Sequence, residues 1–178
     1  MKSLYRNALV LSLVYACWVV TKGFIGLDLM FNKWAGWGVV LLLVVLTYVF
    51  ALQERKEQPS GYMTYTKAFS VCFFLIMIPY FSGILLEYFY FNTFLPDVVE
   101  SFHQKMESIL LEELDKSASQ GSELSEEQHE IAVKTGMGMS PYKPWGVVFL
   151  LLGAGFTSAA VSALMALFVR KKDPNQEF

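Results

Sequence analysis

Charge is scarce in this 178-residue sequence: only 17% of its residues are charged, against about a quarter in a soluble domain. The shortage is concentrated in four long runs that lack charge or nearly lack it. A water-soluble globule is thereby excluded, because no such fold hides that much apolar chain. Cysteine is rare too. Cys17 and Cys72 lie far apart in apolar runs, and neither belongs to a C-x-x-C pair. They read as small packing residues rather than as metal or redox ligands. The only histidines are His103 and His129. His129-Glu130 begins an H-E-x-x pattern, but Val133 stands where a second zinc ligand would be. Gly153-Ala154-Gly155 has no lysine after it, so it is no phosphate loop. No basic stripe lies outside the membrane flanks, which removes nucleic acid as a partner. Catalytic, metal and cofactor residues therefore receive no assignment, and the chain reads as a non-enzyme that needs no cofactor.

What is present is apolar length. The first run covers about Tyr5 to Leu27, with Arg6 at its start and Lys22 near its end. The second covers Ala35 to Leu52, and the third runs from Ala68 through Glu87 to about Asn92. The fourth, Trp145 to Val169, is charge-free for 25 residues and ends in Arg170-Lys171-Lys172. At about 1.5 Å rise per residue each run can cross a hydrocarbon core of roughly 30 Å. In lipid the backbone must satisfy its own hydrogen bonds, so these runs predict four transmembrane helices. Val14-Tyr15-Ala16-Cys17 resembles a lipoprotein cleavage box, but the bulky Tyr15 and the apolar run beyond it favour a retained helix.

Orientation follows from Lys and Arg. Lys2, Arg6, Arg55, Lys56, Lys67, Arg170, Lys171 and Lys172 fall on one side in short segments. Lys22, Lys33, Lys105, Lys116, Lys134 and Lys143 fall on the other, mostly in a long loop. The positive-inside rule predicts cytoplasmic termini and an exported segment from 93 to 143. Asn92 to Pro144 holds ten acidic residues against four lysines, a net of −6. Leu95-Pro96-Asp97 stops the third helix. Val99, Phe102, Met106, Ile109, Leu110 and Leu114 then recur at spacings of three and four, which draws one apolar stripe on a helix over about 97–116. Ser117 to Ser122 reads as a turn. Ser125 offers an N-cap to a second helix over about 125–136. The fold class is thus an all-α membrane protein: four transmembrane helices, N-in and C-in, with an acidic helical hairpin between helices 3 and 4 on the outer, periplasmic face. Its divisions are 1–92 for helices 1–3, 93–143 for the hairpin, and 144–178 for helix 4 with its basic tail.

Several features in and beside the spans carry interaction chemistry. Ala154, Ser158, Ser162 and Ala166 recur every four positions on the last helix, with Gly155, Ala159 and Ala163 beside them and Gly153 widening the face. Such a stripe lets another helix approach closely, either one of the chain's own spans or a partner's. Pro79 interrupts the hydrogen bonding of the third helix, with Ser82 and Gly83 following. Lys22 and Glu87 both fall near the outer boundary by residue count. An ion pair between them would lower the cost of placing either there. Tyr88 to Phe91, Phe94, Trp34 and Trp37 form an aromatic belt at that level. His103 and Glu107 stand four apart and can pair on a helix surface.

Gly61-Tyr62-Met63-Thr64-Tyr65-Thr66-Lys67-Ala68-Phe69 leads into the third span. With the aromatic end of that span, Asn92, Pro96, the acidic helix and the last span closed by Arg170-Lys171-Lys172, it resembles a family of small four-helix inner-membrane proteins of Bacteroidota, known only as domain of unknown function 4199. The resemblance covers nearly the whole chain and carries no catalytic residue. It implies a Gram-negative inner membrane, a periplasmic hairpin and association with membrane-bound glycosyltransferases. The expected function is a non-catalytic subunit or scaffold of an inner-membrane complex. The lipid bilayer surrounds it, and a membrane protein or a second copy is its partner, held by the small-residue face and the Val99–Leu114 stripe. The alternative is a small transporter or lipid-handling protein working at the outer edge near Lys22, Glu87 and the aromatic belt.

Overall fold

A computed structural model describes residues 2–58, 61–119 and 126–171. Its elements are α1 (Lys2–Ile25), α2 (Leu27–Met30), α3 (Lys33–Lys56), α4 (Tyr65–Phe94), α5 (Pro96–Ser119), α6 (Glu126–Gly138) and α7 (Pro144–Val169). Every described element is helical. The one β-type pairing among the described residues is an isolated antiparallel bridge, Met63 to Lys171. Helices α1, α3, α4 and α7 are each long and apolar enough to cross a membrane, so the protein is a multi-pass membrane protein.

Local chemistry sets the helix ends. The first span stops at Ile25, two residues short of the expected Leu27, because Gly26 adopts φ 82° and closes the helix. Asn32 caps α3 by accepting from the Ala35 amide at 3.1 Å, and Thr64 caps α4 by accepting from the Lys67 amide at 3.4 Å. Pro144 opens α7 as its first residue. Helix α4 continues through Pro79. The Ser82 hydroxyl bonds the Ile78 carbonyl at 2.8 Å and lies 3.3 Å from the Ser12 hydroxyl on α1. Helix α5 extends to Ser119, so the first three residues of the expected turn are helical. The remainder of that turn, the Ser125 cap and Lys172 lie outside the described residues, as does the His129 side chain.

Helix α4 is the axis of the bundle, packed against α1, α3 and α7. The largest apolar cluster joins Leu11, Leu43, Leu75, Cys72, Ala166 and Val169. At one end the bundle is tied shut. Asn7 donates to buried Glu54 at 3.4 Å, the Arg55 guanidinium donates to the Val169 carbonyl at 3.0 Å, and Met63 and Lys171 exchange two backbone bonds of 3.1 and 3.0 Å. The Arg55 bond satisfies a carbonyl that the last turn of α7 leaves without a helical partner. At the opposite end, α2, α5 and the 139–143 loop lie over the helices around a second cluster of Val19, Phe91, Val99, Phe102 and Tyr142.

Candidate functional site

The small-residue ladder of α7 is turned inward. Ala154, Ser158, Ser162 and Ala166 are all buried, with Ala154 packed beside Ile84 of α4 and Ala166 in the main cluster. The neighbouring row of Gly155, Ala159 and Ala163 is partly covered, and Gly153 is exposed. The close approach that the ladder permits is thus realised largely within the chain. Ser162 is fully buried, and its hydroxyl has no hydrogen-bond partner among the described residues.

The amphipathic stripe of α5 divides in two. Val99 and Phe102 are buried and Met106 is packed against them. Phe102 stacks on Phe31 with ring centroids 4.9 Å apart, and its edge meets Tyr142 at 5.0 Å. Further along, Leu110 sits against α6 at Gly136, where a methyl group would lie 2.9 Å from a Leu110 carbon. Ile109 is exposed and Leu114 half-buried. The first half of the stripe therefore roofs the bundle instead of offering a free face. Phe91 likewise leaves the expected belt and is completely buried beneath Tyr142, while Phe89 and Phe94 remain exposed.

Beneath this roof lies the polar centre. The Lys22 ammonium on α1 and the Glu87 carboxylate on α4 form an ion pair, with side chains only 12% and 13% exposed. Tyr142 donates its hydroxyl to the same Glu87 oxygen at 3.3 Å. The Lys22 nitrogen also stands 5.9 Å from the centre of the Trp18 ring. Burial, and then the Glu87 charge, push the Tyr142 phenol well above its ordinary range, so it stays a donor. The loop bearing Tyr142 is held by two more contacts. Asn92 donates to the Tyr142 carbonyl at 3.2 Å, and the His103 Nε2 meets the Ser140 hydroxyl at 2.8 Å. His103 thus turns to the loop. A Ser–His contact of that length would suit a nucleophile and its base, but Ser140 is completely buried and its oxygen also accepts from the Tyr142 amide at 3.4 Å. It acts as a clasp.

Sequence reasoning missed this clasp, and it missed Tyr15 and Tyr80. Those two rings, 5.8 Å apart, line a cleft of about 460 Å³ beside α7, with Ile84, Glu87, Phe149 and Thr157 among its other walls. Gly83 admits the Tyr15 ring, since a methyl group there would lie 2.2 Å from Cδ1. A second cavity of about 380 Å³ opens on the α3 side, lined by Trp18, Lys33, Trp37, Val40 and Leu43. Tyr15, Tyr80 and Thr157 line both cavities. The Thr157 hydroxyl bonds the Gly153 carbonyl at 2.8 Å. The Tyr15 and Tyr80 hydroxyls make no hydrogen bond to another described residue. No group of three or more His, Cys, Asp or Glu side chains converges among the described residues.

The arrangement defines a multi-pass helical membrane protein with an amphipathic cleft near one end of its bundle. Residues 6–171 match the family described as protein of unknown function (DUF4199), and the chain belongs to that family. No curated protein and no solved structure matches it.

Proposed function

We propose that this protein handles lipid in the inner membrane without catalysing a reaction, holding an amphiphile at the two cavities that share Tyr15, Tyr80 and Thr157. The observation that carries the reading is the pair of unbonded phenol hydroxyls, Tyr15 and Tyr80, inside an otherwise apolar cleft bordered by Glu87. Neither hydroxyl is sealed in the core, where Ser162 alone among the described residues is buried without a partner, so both can bond the polar atoms of an occupant. Both surfaces expected to hold a protein partner are largely packed within the chain, which turns weight toward the cleft. Thr157 is exposed and lines both cavities, so Thr157→Trp fills the cleft without entering the buried α4–α7 contact. Native mass spectrometry of the full chain in mild detergent should show retained lipid on the wild type and little on the variant. Equal retention refutes the reading.

The bundle sits with both termini in the cytoplasm and α5–α6 in the periplasm. The excess of Lys and Arg at the end tied by Arg55 and Lys171 supports this orientation. A reporter fused after Lys116 should read as exported, and a cytoplasmic signal would overturn it. A second reading, a non-catalytic subunit or scaffold of an inner-membrane complex, draws on one feature. A groove of about 510 Å³ on α5–α6, lined by Leu111, Val133 and Met137 with Glu107, Glu130 and Lys134, stands outside the spans. A stoichiometric partner, such as a membrane-bound glycosyltransferase or a second copy, that is lost on Leu111→Glu would favour it.

A further inference from the structure

The charges at the two cavities are not equivalent. Among the described residues, Glu87 is the only charged one lining the α7-side cavity, and Lys22 already neutralises it while Tyr142 donates to it. Among the described residues, Lys33 is the only charged one lining the α3-side cavity. It is exposed and makes no ion pair with another described residue. The α3-side cavity therefore presents one positive charge that has no ion-pair partner among the described residues. That charge stands at the first residue of α3, where the helix dipole also favours an anion. Two features keep this from being a helix terminus alone. The cavity behind Lys33 is walled by Val40 and Leu43, which suit an acyl chain, and the unbonded Tyr15 and Tyr80 hydroxyls border it. Trp18 and Trp37 flank the opening with ring surface, the residue type that settles at headgroup level.

We propose that the occupant is an anionic phospholipid in the α3-side cavity, its phosphate on Lys33 between Trp18 and Trp37 and its chain toward Leu43 and Tyr80. This rests on the lipid-handling reading and adds the headgroup to it. Lys22 is excluded as the phosphate ligand because Glu87 holds it. A juxtamembrane lysine contributes about fivefold to the binding of an anionic lipid.

The test uses the full-length protein in neutral detergent, titrated with dioleoylphosphatidylglycerol or dioleoylphosphatidylcholine and read by native mass spectrometry. The wild type should retain the anionic lipid about fivefold better. Lys33→Gln should remove that preference while leaving the melting temperature unchanged, because Lys33 is exposed and unpaired. Millimolar inorganic phosphate should not displace the lipid, since it has no chain to fill the cleft. Equal retention of the two lipids by the wild type, a preference that survives Lys33→Gln, or displacement by phosphate alone would each overturn the headgroup assignment. Those outcomes leave cleft occupancy standing. Retention that Thr157→Trp does not reduce removes the cleft reading itself.

Discussion

Removing one member of the Lys22–Glu87 pair should harm the protein more than removing both. The two groups face each other from α1 and α4 with side chains 12% and 13% exposed, and Tyr142 completes the carboxylate's bonding. Breaking a fully buried pair costs about 3–5 kcal/mol, because the survivor is left as an uncompensated charge. Residual exposure and escape routes lower that figure here. A lone lysine can snorkel to the headgroups, and a lone carboxylate can take up a proton. We expect about 2–3 kcal/mol for Lys22→Met and for Glu87→Gln. For a chain of this size that is roughly 5–10 °C in melting temperature. The double variant keeps an acceptor for Tyr142 and carries no stranded charge. It should lose only about 1–2 kcal/mol, so the cycle falls short of additivity by at least about 2 kcal/mol. Thermal unfolding of the four proteins in one detergent, followed by fluorescence-detected gel filtration, measures this. Additive losses, or single variants that melt with the wild type, would refute the pairing as a stabilising contact.

Three further outcomes follow from the same geometry. Gly83→Ala places a methyl group 2.2 Å from the Tyr15 ring. Overpacking should outweigh the gain in helix propensity and destabilise by about 1–2 kcal/mol, with a matching drop in retained lipid as Tyr15 is pushed aside. Gly146→Ala is harsher, since its methyl group would lie 1.8 Å from the backbone oxygen of Ser140. Chain rather than ring must move, and a loss of about 3 kcal/mol in denaturant or thermal titration is expected. His103 gives a pH dependence. Burial, and then Lys143, hold its pKa below the ordinary 6.5. The unfolded chain therefore takes up a proton near pH 6.5 that the folded chain refuses. Stability is complete above that pH and declines as pH falls below it. Melting curves from pH 8 to pH 5 should show a smaller decline in His103→Gln; identical slopes would contradict the assignment.

The spans were legible because lipid imposes one requirement, a long apolar run, and a run is a local property. The level of Lys22 and Glu87 was legible for a related reason: rise per residue converts sequence position into depth. Which face of each helix meets which neighbour is not local. The spacing of Val99, Phe102 and Met106 announces a stripe, but nothing in the spacing says that Phe31 and Tyr142 will cover it. The ladder from Ala154 to Ala166 left its partner open for the same reason, and α4 supplies it. Tyr15 and Tyr80 gave no signal, because a tyrosine inside a span looks like any aromatic residue until its hydroxyl is seen to lack a partner. Ser140 and His103 stand 37 positions apart, and only the folded loop brings them together.

The distribution of polar contacts along the bundle explains why the cleft lies where it does. At the end carrying Glu54, Arg55 and Lys171, side-chain and backbone bonds join α1 to α3, α3 to α7, and the α3–α4 connection to the tail. Those ties bring α3 and α7 together there. Toward the other end the polar contacts run instead from α1 to α4 through Lys22 and Glu87, and from the 139–143 loop to α4 and α5 through Tyr142, Asn92 and His103. No described side-chain hydrogen bond joins α3 to α7 at that level, and the two cavities open on either side of Tyr15 and Tyr80. A bundle fastened at one end and roofed at the other can admit a molecule from the side without unfolding. One group that holds its roof, His103, is part-buried and faces the Lys143 charge of the 139–143 loop, so a proton there is unfavourable. The loop that His103 clasps also carries Pro141, a wall of the α7-side cavity. Protonating His103 should therefore loosen that wall before it unfolds the helices, and lipid retention should weaken at a higher pH than the helical signal is lost.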